Sequence, residues 1–174
     1  MPRVFPRHSL IFYYNIFMKK TGILFVCHGN ICRSPMAERI MKHMVREARL
    51  EESFYIESAA ATSEETGNGI YPPARRKLNE HGINAEGHSA RLMTRADYSR
   101  FDLLIGMDNE NIYDMRHICG GDPEGKIHML MEYTGSIREV ADPWYTGDFE
   151  ATWCDLLEGC RKLLEIYGGK DGSN

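Results

Sequence analysis

The chain reads as an α/β protein, a single domain with a four-stranded parallel sheet and helices on both faces. Three observations carry this reading. Short apolar runs alternate with longer stretches of helical periodicity. The first apolar run shows no polar alternation, as expected of a strand buried on both faces. The length, 174 residues of which 43% are hydrophobic, suits one well-buried core and is short for two.

The elements follow in order. Residues 22–26 (Gly-Ile-Leu-Phe-Val) form the first strand. Ser34-Pro35 then reads as a helix N-cap followed by proline at the first helical position. Met36, Ala37, Ile40, Met41, Met44, Val45 and Ala48 recur at helical spacing, giving a helix over about 35–49 one apolar face. Residues 54–59 read as a second strand, and 60–71 as a polar, glycine-bearing loop. Pro72-Pro73 opens a helix through about His81, which Gly82 ends. A short turn of helix is expected within 92–98, a third strand over 102–107 and a polar helix over 109–118. A turn at 120–123 leads to a fourth strand over 126–130. The last helix, 149–167, has Asp148 as N-cap and an apolar face made by Trp153, Leu156, Leu157, Cys160, Leu163, Leu164 and Tyr167.

The ends stand apart. Residues 9–18, behind Arg3 and Arg7, imitate a signal peptide, yet no small-residue cleavage site follows and Lys19-Lys20 leads straight into the first strand. The stretch also falls short of the roughly 20 apolar residues that span a bilayer, so no membrane partner is expected. Residues 1–17 are read as an extension outside the core, 18–168 as the domain, and 169–174 as a flexible tail. A net charge of −4 without a basic stripe leaves no footprint for nucleic acid. Five irregularly spaced cysteines do not form a secreted disulfide framework and suit a reducing cytoplasm. His43, His81, His117 and His128 lack ligand-like spacing, so neither metal nor cofactor is expected. Residues 120–127 satisfy a nucleotide-binding P-loop until Ile127, which cannot ligate magnesium, and they precede a strand instead of a helix. They read as a turn.

The chemistry gathers in Cys27-His28-Gly29-Asn30-Ile31-Cys32-Arg33-Ser34-Pro35. Cys27 ends a strand, at the sheet edge where open α/β folds bind ligands. The loop empties into a helix N-terminus, whose unpaired N–H groups and dipole favour an anion. Gly29 and Asn30 tolerate the backbone angles of an anion-binding nest, and Arg33 offers a planar fork matched to two phosphate oxygens. The same field favours the thiolate of Cys27, the nucleophilic form. Asp142, in Val140-Ala141-Asp142-Pro143-Trp144-Tyr145, reads from its residues alone as a turn initiator first and as an acid only second.

The run Cys27–Glu38, Cys-His-Gly-Asn-Ile-Cys-Arg-Ser-Pro-Met-Ala-Glu, resembles the signature loop of the low-molecular-weight protein tyrosine phosphatases. The similarity continues through Glu57-Ser58-Ala59-Ala60, Glu80-His81-Gly82-Ile83, residues 101–108 and Asp142-Pro143-Trp144-Tyr145, covering 21–168. It implies metal-independent hydrolysis of phosphotyrosine-bearing proteins or small aryl phosphates through a cysteinyl-phosphate, with inorganic phosphate as product. On that resemblance Cys27 is the nucleophile and Arg33 the phosphate clamp. Asp142 is the general acid, needed because a phenol of pKa about 10 is a poor leaving group, and it then serves as base for water. The phosphate would sit among His28, Gly29, Asn30, Ile31, Cys32 and Ser34. Asn30, Ser34 and His88 would brace the loop, with Ser34 also donating to the thiolate. Trp144 and Tyr145 would flank the substrate ring, and Cys32 would form a reversible disulfide with Cys27. Glu64 and Glu65 stand where many members carry an aromatic residue, whereas Asn68 and Tyr71-Pro72-Pro73 look like the bacterial form.

Three other readings share the loop. An arsenate reductase needs a further cysteine pair around 104–108, where this chain has none, and would make Asp142 superfluous. A protein arginine phosphatase of this family carries threonine in place of Ile31. A non-catalytic phosphate-binding module stays open because the loop and Asp142 lie far apart in the chain.

Overall fold

A computed structural model describes residues 19–169, in which four strands form one parallel sheet. The elements are β1 (Thr21–Cys27), α1 (Arg33–Glu47), β2 (Phe54–Ala60), α2 (Pro72–Glu80), α3 (Asp97–Arg100), β3 (Leu103–Gly106), α4 (Asn109–Cys119), β4 (Ile127–Met129), a 3-10 turn (Leu130–Thr134), α5 (Pro143–Thr146) and α6 (Phe149–Tyr167). The strand order is β2-β1-β3-β4. β1 pairs with β2 from Thr21↔Phe54 to Cys27↔Ala60, and with β3 from Ile23↔Leu103 to Val26↔Gly106. It is therefore central, which explains its unbroken apolar run. Ile23, Phe25 and Cys27 face a core shared with α1, α2 and α6, whereas Leu24 and Val26 pack with Met93, Tyr98, Phe101, Met115 and Cys119 on the other face. Helices cover both faces, as the sequence predicts.

The order also fixes where a ligand can enter. From β1 the chain crosses to β2 on one side, then returns past β1 to β3 on the other. The carboxyl end of β1 thus lies at a switch point in strand order, where the connecting loops diverge and leave a crevice.

Several boundaries differ from the sequence reading. α1 begins at Arg33, with Cys32 at the N-cap position and no side-chain cap. Ser34 does not cap it, because its hydroxyl is engaged by Cys27 and Asn30. Ala48 lies beyond the helix and is exposed. The short helix falls at Asp97–Arg100, preceded by a turn in which the Asp97 carboxylate accepts from Thr94 N at 2.8 Å. β4 stops at Met129, since Leu130 enters the 3-10 turn, an element the periodicity did not reveal; α5 was also missed. α6 has the expected bounds, and Asp148 caps it by accepting from Ala151 N at 2.9 Å. Gly159 lets this helix lie against the 3-10 turn: a Cβ there would sit 2.4 Å from Leu130 Cγ. The segment 120–126 is a turn leading into β4, held by Asp122, which accepts from Lys126 N at 2.7 Å and Tyr98 OH at 2.8 Å. The expected extension, 1–17, lies outside the described residues, as do 170–174 of the expected tail. Among the described residues no helix is long and apolar enough to cross a membrane.

Candidate active site

Cys27, the last residue of β1, is buried, and the loop after it turns sharply at Asn30, whose φ of 58° is left-handed. Asparagine tolerates that conformation better than most residues. The fully buried Asn30 side chain then fixes the loop from behind. Its Nδ2 donates to Ser34 Oγ and Ser58 Oγ, both at 2.9 Å, and its Oδ1 accepts from Arg91 N at 3.2 Å. The Asn30 carbonyl lies 2.7 Å from His88 Nε2. Burial holds the His88 ring below its ordinary pKa, partly offset by that bond, and because a carbonyl only accepts, the proton of that bond sits on Nε2. Ser34 Oγ lies 3.1 Å from Cys27 Sγ. Because Oγ already accepts from Asn30, its own proton can turn toward the sulfur.

Three further carbonyls of the loop are held from outside. Cys27 O accepts from Ala61 N at 2.9 Å, His28 O from Thr62 N at 3.1 Å and Ile31 O from Tyr71 N at 2.8 Å. The N–H groups of the loop and of the first turn of α1 are then the donors left for an anion.

Arg33, 3% exposed, joins the loop to two carboxylates. Nη1 donates to Asp108 Oδ2 at 2.7 Å and Nη2 to Asp142 Oδ2 at 2.9 Å. Each carboxylate divides its oxygens between this arginine and a helix. Asp108 Oδ1 caps α4 by accepting from Asn111 N at 2.8 Å, and Asp142 Oδ1 caps α5 by accepting from Trp144 N at 3.0 Å. Burial works against the Arg33 charge, but Cys27, Asp142 and Asp108 outweigh it and raise its pKa. The Cys32 thiol is pushed up to about 12, chiefly by burial and then by Cys27 and Asp142.

Above this floor opens a cleft of about 540 Å³. Cys27, His28, Gly29, Ile31, Cys32 and Arg33 line its base, while Trp144 and Tyr145 line it from α5, 59% and 85% exposed. Trp144 rests against Tyr71, with ring centroids 5.4 Å apart. Glu64 and Glu65 line it from the loop after β2, where His28 Nε2 meets Glu64 Oε2 at 3.0 Å. A side chain at Gly29 would crowd Glu65, whose Cγ lies 3.0 Å from the position of a Cβ. Every expected site residue gathers here, with one difference: Asn30 and Ser34 do not line the cleft and lie buried behind the loop, where the half-buried His88 braces Asn30.

Sequence reasoning missed three members. Asp108 could be read only as the start of a polar helix. Ser58 and Glu38 extend the brace, Ser58 Oγ donating to Glu38 Oε2 at 2.5 Å and Glu38 Oε1 accepting from Lys42 at 2.5 Å. Both stood in the quoted motifs without a role. All five cysteines are free, and Cys160 is buried in α6 with its thiol 3.7 Å from Ala37 O.

Comparison with known proteins agrees with this geometry. Residues 22–170 match the family described as low molecular weight phosphotyrosine protein phosphatase. The low molecular weight protein-tyrosine-phosphatase YfkJ of Bacillus subtilis is 38% identical over 146 residues, 82% of this chain and 93% of the relative. Its crystal structure superposes with a TM-score of 0.84, at 35% identity, over 88% of this chain and 98% of that one. The low molecular weight protein tyrosine phosphatase SP-PTP of Streptococcus pyogenes superposes at 0.77, with 36% identity over 87% and 95% of the two chains. DARP, a drosophila arginine phosphatase, also superposes at 0.77, with 32% identity over 86% and 99%. With the match running from β1 to beyond α6, the chain belongs to the low molecular weight phosphotyrosine protein phosphatase family.

Proposed function

We propose that this hydrolase acts on phosphotyrosine-bearing proteins and small aryl phosphates, with the phosphoryl group held on Cys27 between two displacements. The observation that carries the reading is the bond from Arg33 to Asp142, 2.9 Å, in the cleft whose base holds Cys27. A phosphate clamp and an acid 109 positions apart meet at one thiol, which a passive phosphate-binding module does not require.

In the first step the Cys27 thiolate attacks phosphorus in line. The bond from phosphorus to the phenolic oxygen breaks, and Asp142 supplies the proton that the departing oxygen takes. Arg33 and the loop N–H groups hold the equatorial oxygens as charge redistributes. In the second step water attacks phosphorus, Asp142 takes its proton, and orthophosphate leaves with the thiolate restored. Without substrate, Asp142 has both oxygens engaged, by Arg33 and by Trp144 N. A phosphate that draws the Arg33 fork to itself releases Oδ2, the oxygen free to carry the proton. Trp144 and Tyr145 would flank a phenol ring and leave shorter phosphoserine out of the nucleophile's reach. Asn30, Ser34 and His88 act as positioning residues for the loop.

The free thiols suit a reducing cytoplasm. Cys32 follows Cys27 within the same loop and would protect it: a peroxide oxidises the Cys27 thiolate to a sulfenic acid, and Cys32 displaces water to form the disulfide. The raised Cys32 pKa keeps its thiolate fraction small, so closure would be slow. The test of function is turnover of phosphotyrosine, phosphoarginine and arsenate side by side, with Cys27→Ser as control. Phosphotyrosine turnover with a Cys27→Ser protein that binds without turnover is expected; activity on arsenate alone would overturn the proposal.

A further inference from the structure

We infer that the cleft selects phosphotyrosines flanked by basic residues, lysine or arginine, over those flanked by acidic ones. This deepens the phosphotyrosine reading and rests on it.

Among the described residues the cleft is lined by six carboxylates, Glu64, Glu65, Asp108, Glu110, Glu139 and Asp142, against one arginine and no lysine. Asp108 and Asp142 form a closed inner set with Arg33. The four glutamates have no such partner. Glu64 meets His28, Glu65 accepts from the neutral amide of Asn68 at 2.6 Å, and Glu139 accepts from Asn109 N and Nδ2 at 2.9 and 2.7 Å. Glu110 lies exposed in the first turn of α4. Among the described residues none of the four makes an ion pair with lysine or arginine. Several glutamates elsewhere on the surface are paired: Glu80 and Glu150 share Lys77, Glu158 meets Arg138 and Glu165 meets Lys162.

The helix N-terminus accounts locally for Glu110 and Glu139. It does not account for Glu64 and Glu65, which belong to the loop after β2. That loop and α4 follow the two strands paired with β1, so uncompensated charge flanks the nucleophile from both neighbours of β1.

The phosphate itself is held at short range by Arg33 and the loop N–H groups. A tyrosine ring deep between the walls brings its peptide backbone to the mouth, where neighbouring side chains meet the glutamates. Lysine or arginine there supplies the missing partner, whereas glutamate or aspartate meets like charge, and such charges act on encounter and on rejection of wrong partners.

The test uses three phosphotyrosine peptides of one length, flanked by lysines, alanines or glutamates. At low ionic strength kcat/KM for the lysine peptide should exceed that for the glutamate peptide by about tenfold or more. The ratio should shrink severalfold when salt shortens the Debye length to about 3 Å, near 1 M. A Glu65→Gln/Glu110→Gln double variant should lower the ratio about threefold, and taking a ratio cancels any loss common to both peptides. A ratio near one at low salt, or a ratio untouched by the double variant, overturns the inference. Hydrolysis of none of the three is a different failure, since it removes the phosphotyrosine reading beneath it.

Discussion

Asn30 carries more of the phosphate loop than any other side chain, and two substitutions separate its contributions. Asn30→Gly keeps access to a φ of 58° but deletes the bonds to Ser34, Ser58 and Arg91 N. At about 1 kcal/mol net per bond, and more where a buried donor is orphaned, the cost is about 3 kcal/mol. Asn30→Ala loses the same bonds and adds about 1 kcal/mol for holding a Cβ in the left-handed region. Both variants free Ser34 Oγ from its donor, so kcat on an aryl phosphate should fall at least about tenfold, the scale of one misplaced catalytic contact. Urea unfolding, read through the fluorescence of Trp153, which stacks on His81 at 3.8 Å, gives the stability ranking. The expected order is parent, then Asn30→Gly, then Asn30→Ala. Equal stability of the two variants, or either lying within about 1 kcal/mol of the parent with kcat intact, would refute the reasoning.

Three further outcomes follow from particular contacts. Asp108→Asn keeps an acceptor for the cap of α4 but weakens the grip on Arg33, so inhibition by inorganic phosphate should weaken with little change in stability; Asp108→Ala should lose the cap as well, about 1 kcal/mol in urea unfolding. The His88 pKa is lowered in the folded protein, while the unfolded chain titrates near 6.5; below about pH 6.5 the unfolded state binds more protons, and stability falls as pH drops through the folded pKa. Urea midpoints between pH 7 and 5 should show that fall, reduced in His88→Gln. Gly159→Ala gains helix propensity but drives a Cβ into Leu130, and the overpacking, about 1–3 kcal/mol, should exceed the roughly 1 kcal/mol gained, giving a net loss of thermal stability.

Much of this molecule was legible because single residues carried their signals locally. The strand before Cys27 showed as an apolar run, and Gly82 marked the end of α2. What escaped depended on partners distant in the chain. Ser34 beside proline has the local form of an N-cap, yet Asn30 and Cys27 compete for its hydroxyl and the helix starts two residues earlier. Asp108 does cap a helix, so nothing nearby revealed that its second oxygen holds Arg33 across 75 positions. Asp142 was found only through resemblance, because its bond to Arg33 exists only once the sheet has formed. The 3-10 turn and α5, of five and four residues, are too short to show a period.

The central claim is that phosphate passes through Cys27 and that Asp142 serves both steps. In Asp142→Ala, an aryl phosphate with an acidic phenol should still lose its leaving group, since no proton is needed, whereas hydrolysis of the intermediate should stall without a base. Rapid acid quench should then show a stoichiometric burst of phenol and a phosphoryl group on Cys27 in the recovered peptide. Linear phenol release without a burst, or phosphate recovered on any other residue, would contradict the account.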